Sequence, residues 1–138
     1  MAKQFQHVRG MPDRLPEQQR QIDYLTGTFR QLADAAGYEP LDTPIVEDKG
    51  VFVRGVGTGT DIVDKEMYVF DDRSGNQIAL RPEPTAGVVR AYIENGMASL
   101  PKPVKIQIAG PMFRYDRPQA GRQRQFNQVG VEVLGDPS

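Results

Sequence analysis

The sequence of 138 residues contains no cysteine, no tryptophan and a single histidine, His7. Without cysteine the chain cannot form disulfides, thiolate nucleophiles or cysteine-ligated zinc sites. One histidine also argues against a histidine-based catalytic triad or a histidine metal cluster. We therefore assign no metal ligands from the sequence.

Long apolar runs are also missing from the sequence. No run approaches the roughly 18 residues that a membrane-spanning helix needs, and the first ten residues, MAKQFQHVRG, lack the apolar stretch of a signal peptide. This predicts a cytoplasmic protein without a membrane partner. A net charge of -1, from 17 basic and 18 acidic residues, gives the whole molecule no polyanion-binding character. The length and a hydrophobic content of 38% predict one folded domain.

Positive charge is nevertheless concentrated in the last third of the chain. Residues 102–124 contain six basic side chains and one acidic side chain, Asp116. The stretch GPMFRYDRPQAGRQRQF, residues 110–126, holds four arginines, namely Arg114, Arg117, Arg122 and Arg124. Arginine is always charged and costly to bury unpaired. The cluster predicts an anion site, and the alternative is a solvated hairpin whose arginines pair with surface acids.

The spacing of apolar residues predicts an α+β fold, in which an antiparallel β-sheet carries flanking helices. Pro16 suits the first position of a long helix, and Gly37 suits its end. The apolar stripe of this helix has spacings of three and four and consists of Ile22, Leu25, Phe29, Leu32 and Ala36. A shorter helix is predicted from Thr85 to Gly96.

Strand patterns fill most of the remaining sequence. Residues 67–70 and 77–80 predict one hairpin, and residues 103–116 and 122–135 predict a second. In YEPLDTPIVED, Pro40 and Pro44 indicate an edge or interface strand. The glycine-rich segment VFVRGVGTGTDIVDKE, residues 51–66, is predicted to be a loop.

Three short stretches contain candidate ligand-binding residues. In LRPEPT, Glu83 and Thr85 at a helix start could receive an ammonium group, and the alternative is that they only cap the helix. In FNQVGVEVLG, strand alternation places Gln128 and Glu132 on the face of Phe126. A buried carboxylate needs a partner, and either a ligand or a core salt bridge with Arg114 or Arg124 would serve.

The same alternation is predicted to put Arg122, Arg124 and Phe126 on one face near the start of the last strand, with Arg114 and Asp116 sharing a face of the preceding strand. An aromatic ring beside arginines suits base stacking and phosphate binding. The second hairpin is therefore a candidate nucleotide site.

Taken together, these segments resemble the catalytic domain of the histidyl-tRNA synthetases, a family of class II aminoacyl-tRNA synthetases. The long helix and GYEPLDTPIVED resemble motif 1, at about residues 17–48 with Pro44 as its proline. The second hairpin resembles motif 2, at about residues 104–135. Further resemblance lies in RGMPDRLPE, FVRGVGTGTDIVDKEMYVF and LRPEPTAGVVRAY. The likeness runs from about Val8 to Gly135.

The resemblance implies a histidine–tRNA ligase, which uses ATP to convert histidine to histidyl-adenylate and then passes the histidyl group to tRNA(His). Arg114 is implied as the catalytic residue, bridging the histidine carboxylate and the α-phosphate. The residues implied for histidine binding are Glu83, Pro84, Thr85, Arg114, Gln128 and Glu132. The residues implied for ATP binding are Arg114, Asp116, Arg122, Arg124 and Phe126. The family also implies Mg²⁺ on the pyrophosphate side.

By the same resemblance, residues 1–138 are an N-terminal part of the catalytic domain, an incomplete class II core. The third motif and the anticodon-binding domain are absent from the sequence, so activity of this chain alone is not implied. The protein is expected to form a homodimer through the motif 1 helix and strand. Asn127 replaces a histidine common in the family, and alternation turns it away from the site. The alternative function is a synthetase-like regulatory subunit of ATP phosphoribosyltransferase in histidine biosynthesis.

Overall fold

The computed structural model describes residue 2 and residues 4–136. It confirms an α+β fold of three helices and six strands in this part of the chain. In chain order these are α1 (Pro16–Ala35), β1 (Glu39–Pro40), β2 (Val46–Asp48), α2 (Lys49–Val56), β3 (Val69–Asp71), β4 (Gln77–Leu80), α3 (Thr85–Glu94), β5 (Val104–Phe113) and β6 (Gln125–Leu134). A π-helical turn, Ile62–Glu66, and a 3₁₀ turn, Met97–Ser99, complete the elements.

Helix α1 begins and ends where the sequence predicts. Pro16 occupies its first turn, and the Gln18 side chain accepts a hydrogen bond from the Leu15 amide, 3.1 Å away. Gly37 follows the helix with φ of 83°, a conformation that favours glycine. The rest of the described chain buries only part of the predicted apolar stripe, since Leu25 and Leu32 are 63% and 68% exposed.

The strands form two three-stranded sheets, in the orders β1-β5-β6 and β2-β4-β3. Strands β5 and β6 pair antiparallel along their full lengths, from Val104 opposite Leu134 to Phe113 opposite Gln125. The short β1 pairs parallel with β5, which departs from the predicted all-antiparallel sheet. Pro40 lies in β1, which ends the first sheet, and Pro44 precedes β2, which ends the second.

The loop predicted for residues 51–66 is wrong, because most of this segment is helical. Asp48 accepts a hydrogen bond from the Gly50 amide and so caps α2. A Cβ on Gly55 would lie 2.6 Å from the Cβ of Ala86 in α3. Gly55 therefore allows α2 and α3 to approach closely, whereas Gly57 and Gly59, with φ of 104° and 81°, lie in a true turn.

The sheet β1-β5-β6 separates two layers. On one face, Val104, Ile106 and Ile108 pack with Val88 of α3 to form a buried cluster. On the other face, the buried Gln107 joins β5 to α1: its amide donates to Asp34 Oδ1 at 2.6 Å, and its carbonyl accepts from Arg30. Because residues of β6 paired with even-numbered β5 residues share the α3 face, Phe126, Gln128 and Glu132 lie on that face.

A second, smaller core joins α2, α3 and the sheet β2-β4-β3 through Phe52, Ala79 and Ala86. The buried Glu47 of β2 accepts two hydrogen bonds from Arg90 of α3, at 3.0 and 2.7 Å. These bonds raise the pKa of the Arg90 guanidinium. Within the residues described, no helix is long and apolar enough to cross a membrane.

Candidate functional site

Arg114 lies at the end of β5, where the two sheets meet. Its Nε donates to the Pro82 carbonyl at 2.9 Å, and its guanidinium lies 5.4 Å from the centre of the Phe126 ring. Its amide donates to the Arg124 carbonyl at 3.0 Å. The side chain is half-buried. Arg114 is thus held by both the LRPEPT segment and the second hairpin.

The strands of the second hairpin are shorter than predicted, because β5 ends at Phe113 and β6 begins at Gln125. The predicted strand faces for Arg114 with Asp116, and for Arg122 with Arg124, are therefore wrong. The amides of Tyr115 and Asp116 donate to the carbonyls of Glu66 and Arg114 rather than to β6, and Pro118 has no amide proton to donate. The loop between β5 and β6, rather than strand alternation, sets the positions of these side chains: Arg114, Asp116, Arg122 and Arg124.

Arg124 is directed to an aromatic pair. Its guanidinium stacks 3.9 Å from the centre of the Tyr115 ring, and its Nε donates to the Asp116 carbonyl at 3.0 Å. Tyr115 in turn makes an edge-to-face contact with Tyr68, with ring centres 5.6 Å apart. Burial raises the pKa of the Tyr68 hydroxyl, and the charge of Arg124 opposes that increase. Arg124 therefore braces the hairpin in this structure.

Arg117 and Arg122 lie at the exposed hairpin tip. Arg122 pairs with the Asp116 carboxylate at 3.5 Å, and the other Asp116 oxygen accepts from the Arg117 amide at 2.7 Å. The expectation of a solvated hairpin thus describes Arg117 and Arg122, whereas Arg114 and Arg124 are half-buried.

Gly10 anchors the start of β6 and was missed by the sequence analysis. Its carbonyl accepts from the amides of Arg124 and Gln125, at 2.8 and 3.2 Å. Gly10 has φ of 81°, and a Cβ there would lie 2.7 Å from Arg124 Cγ. The segment before α1 therefore fits against the hairpin only with glycine at this position.

A cleft of about 430 Å³ opens between the hairpin and the π-helical turn. Arg114, Asp116, Arg122 and Phe126 line it, and all four are among the predicted ATP-binding residues. Glu66 also lines the cleft and was not among the predicted site residues. The cleft combines an aromatic face, two arginines and two carboxylates, which suits a nucleotide.

The predicted histidine-binding residues Glu83, Thr85 and Glu132 come together at the start of α3. The Glu83 carboxylate accepts from the amides of Thr85 and Ala86, at 2.7 and 2.9 Å. Glu83 thus caps the helix, which was the predicted alternative to ligand binding. The Thr85 hydroxyl instead donates to Glu132 Oε1 at 2.6 Å. The hydrogen-bond partner of Glu132 is therefore Thr85, rather than the predicted Arg114 or Arg124.

The two remaining predicted histidine-binding residues lie nearby. Pro84 is buried beside Glu83, and Gln128 is half-buried opposite Gly110. Phe126, Gln128 and Glu132 follow one another along one face of β6 and span roughly 20 Å. The nucleotide cleft and the carboxylate cluster therefore lie on a common face, with Arg114 near their junction. Asn127 accepts from Arg14 at 2.9 Å, but it also borders the nucleotide cleft, so it is not turned away from the candidate site as predicted.

Comparison with known proteins identifies the family. The family model described as histidyl-tRNA synthetase matches residues 10–138. The chain belongs to the histidyl-tRNA synthetase family. Among curated members of that family, it is 51% identical over 138 residues to a histidine–tRNA ligase of Corynebacterium kroppenstedtii, covering 99% of this chain and 32% of the relative. It is 54% identical over 132 residues to that of Pelotomaculum thermopropionicum, covering 94% and 31%.

Solved structures of the family share the fold. The apo histidyl-tRNA synthetase of S. aureus superposes with a TM-score of 0.81 at 38% identity, covering 97% of this chain and 30% of that one. A Bacillus halodurans protein titled ATP phosphoribosyltransferase regulatory subunit/histidyl-tRNA synthetase gives a TM-score of 0.82 at 26% identity, covering 100% and 35%. The chain spans about a third of the length of these relatives, so it corresponds to part of a class II synthetase catalytic domain.

No group of three or more histidine, cysteine, aspartate or glutamate side chains in the described part of the chain could hold a metal ion. Mg²⁺ in nucleotide sites commonly needs only one or two carboxylates, because the phosphates supply the other ligands. Glu66 and Asp116 are the carboxylates that line the cleft and fit this requirement.

Proposed function

We propose that the chain carries the histidine-activating site of a histidine–tRNA ligase. The observation that carries the proposal is the placement of Arg114, which contacts both Pro82 beside Glu83 and the Phe126 ring of the cleft. A cation at this junction lies where the carboxylate of histidine would meet the α-phosphate of ATP. The likeness to curated histidine–tRNA ligases supports this assignment.

In the proposed reaction, an oxygen of the histidine carboxylate forms a bond to the α-phosphorus while the bond to the pyrophosphate oxygen breaks. The products are histidyl-adenylate and pyrophosphate. Such a displacement depends mainly on positioning and on neutralising negative charge. Arg114 would donate hydrogen bonds to both reacting anions. Its fixed Nε leaves the terminal nitrogens for this task.

Histidine would bind in the carboxylate cluster. Glu83, Thr85 and Gln128, with Pro84 shaping the wall, would hold its α-amino group. Each carboxylate oxygen of Glu83 keeps a second lone pair after accepting from the helix amides. Glu132 would accept a hydrogen bond from the imidazole, with Thr85 fixing one of its oxygens.

ATP would occupy the cleft beside the hairpin. Phe126 would stack on adenine, Asp116 would contact the base or ribose, and Arg122 and Arg124 would serve the phosphates after movement of the hairpin tip. Mg²⁺ would neutralise the pyrophosphate when bound, held by Glu66 or Asp116 together with phosphate oxygens.

The role of Arg114 can be tested by calorimetric titration of the chain with ATP and with a non-hydrolysable histidyl-adenylate analogue. We expect Arg114→Ala to abolish binding of both ligands, because it removes the cation at the junction. Arg117→Ala, an arginine of the same loop at its exposed tip, is the matched control and should bind normally. Unchanged binding by Arg114→Ala would refute the proposed role.

The regulatory-subunit alternative is favoured by one observation, the fold likeness to the Bacillus halodurans protein. The predicted histidine-binding and ATP-binding side chains in this chain favour the ligase, because a regulator requires no adenylate chemistry. Histidine-dependent exchange of pyrophosphate into ATP distinguishes the two functions. Exchange activity supports the ligase, while histidine binding with no ATP binding supports the regulator.

The proposal extends to the whole protein to which these motifs belong. We propose that residues 17–48 and 104–135 are its motifs 1 and 2, within a catalytic-domain segment that covers residues 1–138. The protein would act in the cytoplasm on tRNA(His) and would dimerise through motif 1.

A further inference from the structure

We propose that Arg81 is a positioning residue for Arg114. It acts through the backbone carbonyl groups of Arg81 and Pro82. The inference rests on the proposed function, because Arg114 is the residue assigned to chemistry. Arg81 itself is 3% exposed and lines neither the cleft nor the carboxylate cluster. Its sequence context, LRPEPT, gives no sign of this role.

The Arg81 guanidinium is surrounded by backbone acceptors. Its Nε donates to the Pro111 carbonyl at 2.8 Å, and its Nη1 donates to the carbonyl and hydroxyl of Thr43, at 2.8 and 3.2 Å. The Asp42 carboxylate lies 3.6 Å from Nη1 but is 83% exposed, so water screens most of its attraction. Carbonyl oxygens therefore hold most of this buried charge.

These contacts link three separate parts of the fold. Thr43 precedes β2 of one sheet, Arg81 follows β4 of the same sheet, and Pro111 belongs to β5 of the other sheet. A Cβ on Gly110 would lie 2.5 Å from Arg81 Nη2, so the guanidinium occupies the space of a missing side chain. The planar fork of arginine fits this geometry, whereas the ammonium group of lysine offers a single donor centre.

Two consecutive carbonyls carry the effect from Arg81 to the site. The Arg81 carbonyl accepts from the Phe113 amide at 2.9 Å, and the Pro82 carbonyl accepts from Arg114 Nε at 2.9 Å. Because the Arg81 side chain fixes this segment against Pro111, the distance between Pro82 and Arg114 is fixed as well. Loss of the guanidinium fork would free the Pro82 carbonyl, and Arg114 would lose its orientation.

The first experiment measures this orientation without any ligand. In the ¹⁵N-labelled chain, we expect the Arg114 Nε proton to exchange slowly with solvent because it is bonded to Pro82. Arg81→Lys should accelerate that exchange at least about tenfold, the scale set by loss of a charge-assisted hydrogen bond. Arg90→Lys is the matched control, since Arg90 is also an ion-paired arginine, here half-buried, but it holds Glu47. Equal protection in Arg81→Lys and wild type would overturn the proposal.

Thr43→Val provides a milder variant in case Arg81→Lys does not fold. It removes one acceptor of Nη1 and keeps the Thr43 carbonyl. Its expected effect is a smaller acceleration of Arg114 Nε exchange, and protection equal to wild type would again overturn the proposal.

The second experiment tests the consequence for ATP affinity by a double-mutant cycle. We expect Arg81→Lys to weaken ATP binding about tenfold in the wild-type background and to have no further effect beside Arg114→Lys, because residues that act through one group are not additive. Fully additive losses would contradict action through Arg114. Absence of ATP binding by the wild-type chain would refute the proposed function instead, while the exchange measurement would still decide the role of Arg81.

Discussion

Thr85 and Glu132 show how one hydrogen bond can prepare a carboxylate for a ligand. The Thr85 hydroxyl reaches Glu132 Oε1 across 47 sequence positions, at 2.6 Å. The bond fixes the rotation of the carboxylate, which lies half-buried on the face that Phe126 shares. Since a carboxylate accepts at several lone pairs, the second oxygen stays available for a donor such as an imidazole N–H.

At the scale of this residue, we expect Glu132→Gln to weaken histidine binding at least about tenfold, the usual cost of replacing a charge-assisted hydrogen bond by a neutral one. ATP binding should stay unchanged, because Glu132 lies outside the nucleotide cleft. The amide can still accept from Thr85, so the fold should be preserved. Calorimetric titration with each ligand measures both effects.

Glu17→Gln offers the matched control, since Glu17 is an exposed carboxylate of α1. The assigned role of Glu132 would be contradicted if both substitutions weakened histidine binding equally, or if neither weakened it.

At the scale of elements, regular patterns were predictable and close packing was not. Helix α1 and the two hairpins follow from apolar spacing and turn residues, which act locally. Helix α2 was missed because Gly55 was interpreted as a loop residue, whereas it makes room for Ala86. The parallel pairing of β1 with β5 was also missed, because a two-residue strand carries no periodic signal.

The turn of the β3–β4 hairpin makes a pH prediction. Asp72 accepts hydrogen bonds from the Ser74 and Asn76 amides, at 2.8 and 2.9 Å. These bonds, chiefly that from Asn76, lower the pKa of Asp72 below its ordinary value of 3.8. We expect carbon-detected NMR titration to give a pKa for Asp72 below 3.8 in the folded chain.

The sign of the linked stability follows from that direction. A carboxyl whose pKa is lowered by folding stabilises the folded state above its unfolded pKa, and the contribution disappears as pH falls through the folded pKa. Asp72→Asn should therefore lower the melting temperature at pH 7 more than at pH 2. An equal effect at both pH values, or a pKa at or above 3.8, would contradict the hydrogen-bonded turn.

At the scale of the whole molecule, the candidate site depends on contacts that no local pattern reveals. The residues Glu83, Thr85, Arg114 and Phe126 were proposed from short sequence patterns, and their specific roles came from resemblance to a family. Gly10, Glu66 and Arg81 were missed, because each acts through a contact with a distant segment. Sequence reasoning therefore proposed ligand-binding candidates but missed the groups that hold them in place.

The exposed apolar side of α1 leads to a prediction about assembly. Tyr24, Leu25 and Leu32 are 73%, 63% and 68% exposed, a large apolar area on one helix. Exposed apolar patches of this kind commonly mark protein interfaces. We expect the chain to self-associate at micromolar concentrations, and Leu25→Glu with Leu32→Glu to shift it towards the monomer, as measured by sedimentation velocity.

Gln31→Glu is the control for added charge, because Gln31 is an exposed residue of the same helix. A wild-type chain that stays monomeric throughout this range, or association unaffected by the double substitution, would contradict an interface on α1.

Strand β6 has a further consequence, for the colloidal behaviour of the protein. In the described residues it lies at the end of its sheet, and Val129, Val131 and Val133 are 44%, 44% and 47% exposed along one face. Such an edge can template intermolecular strand addition, which electrostatic repulsion normally opposes. With a net charge of -1 and an isoelectric point near 5.8, that repulsion is weak around neutral pH. Concentrated stocks should therefore stay clear longest in alkaline buffers of low ionic strength.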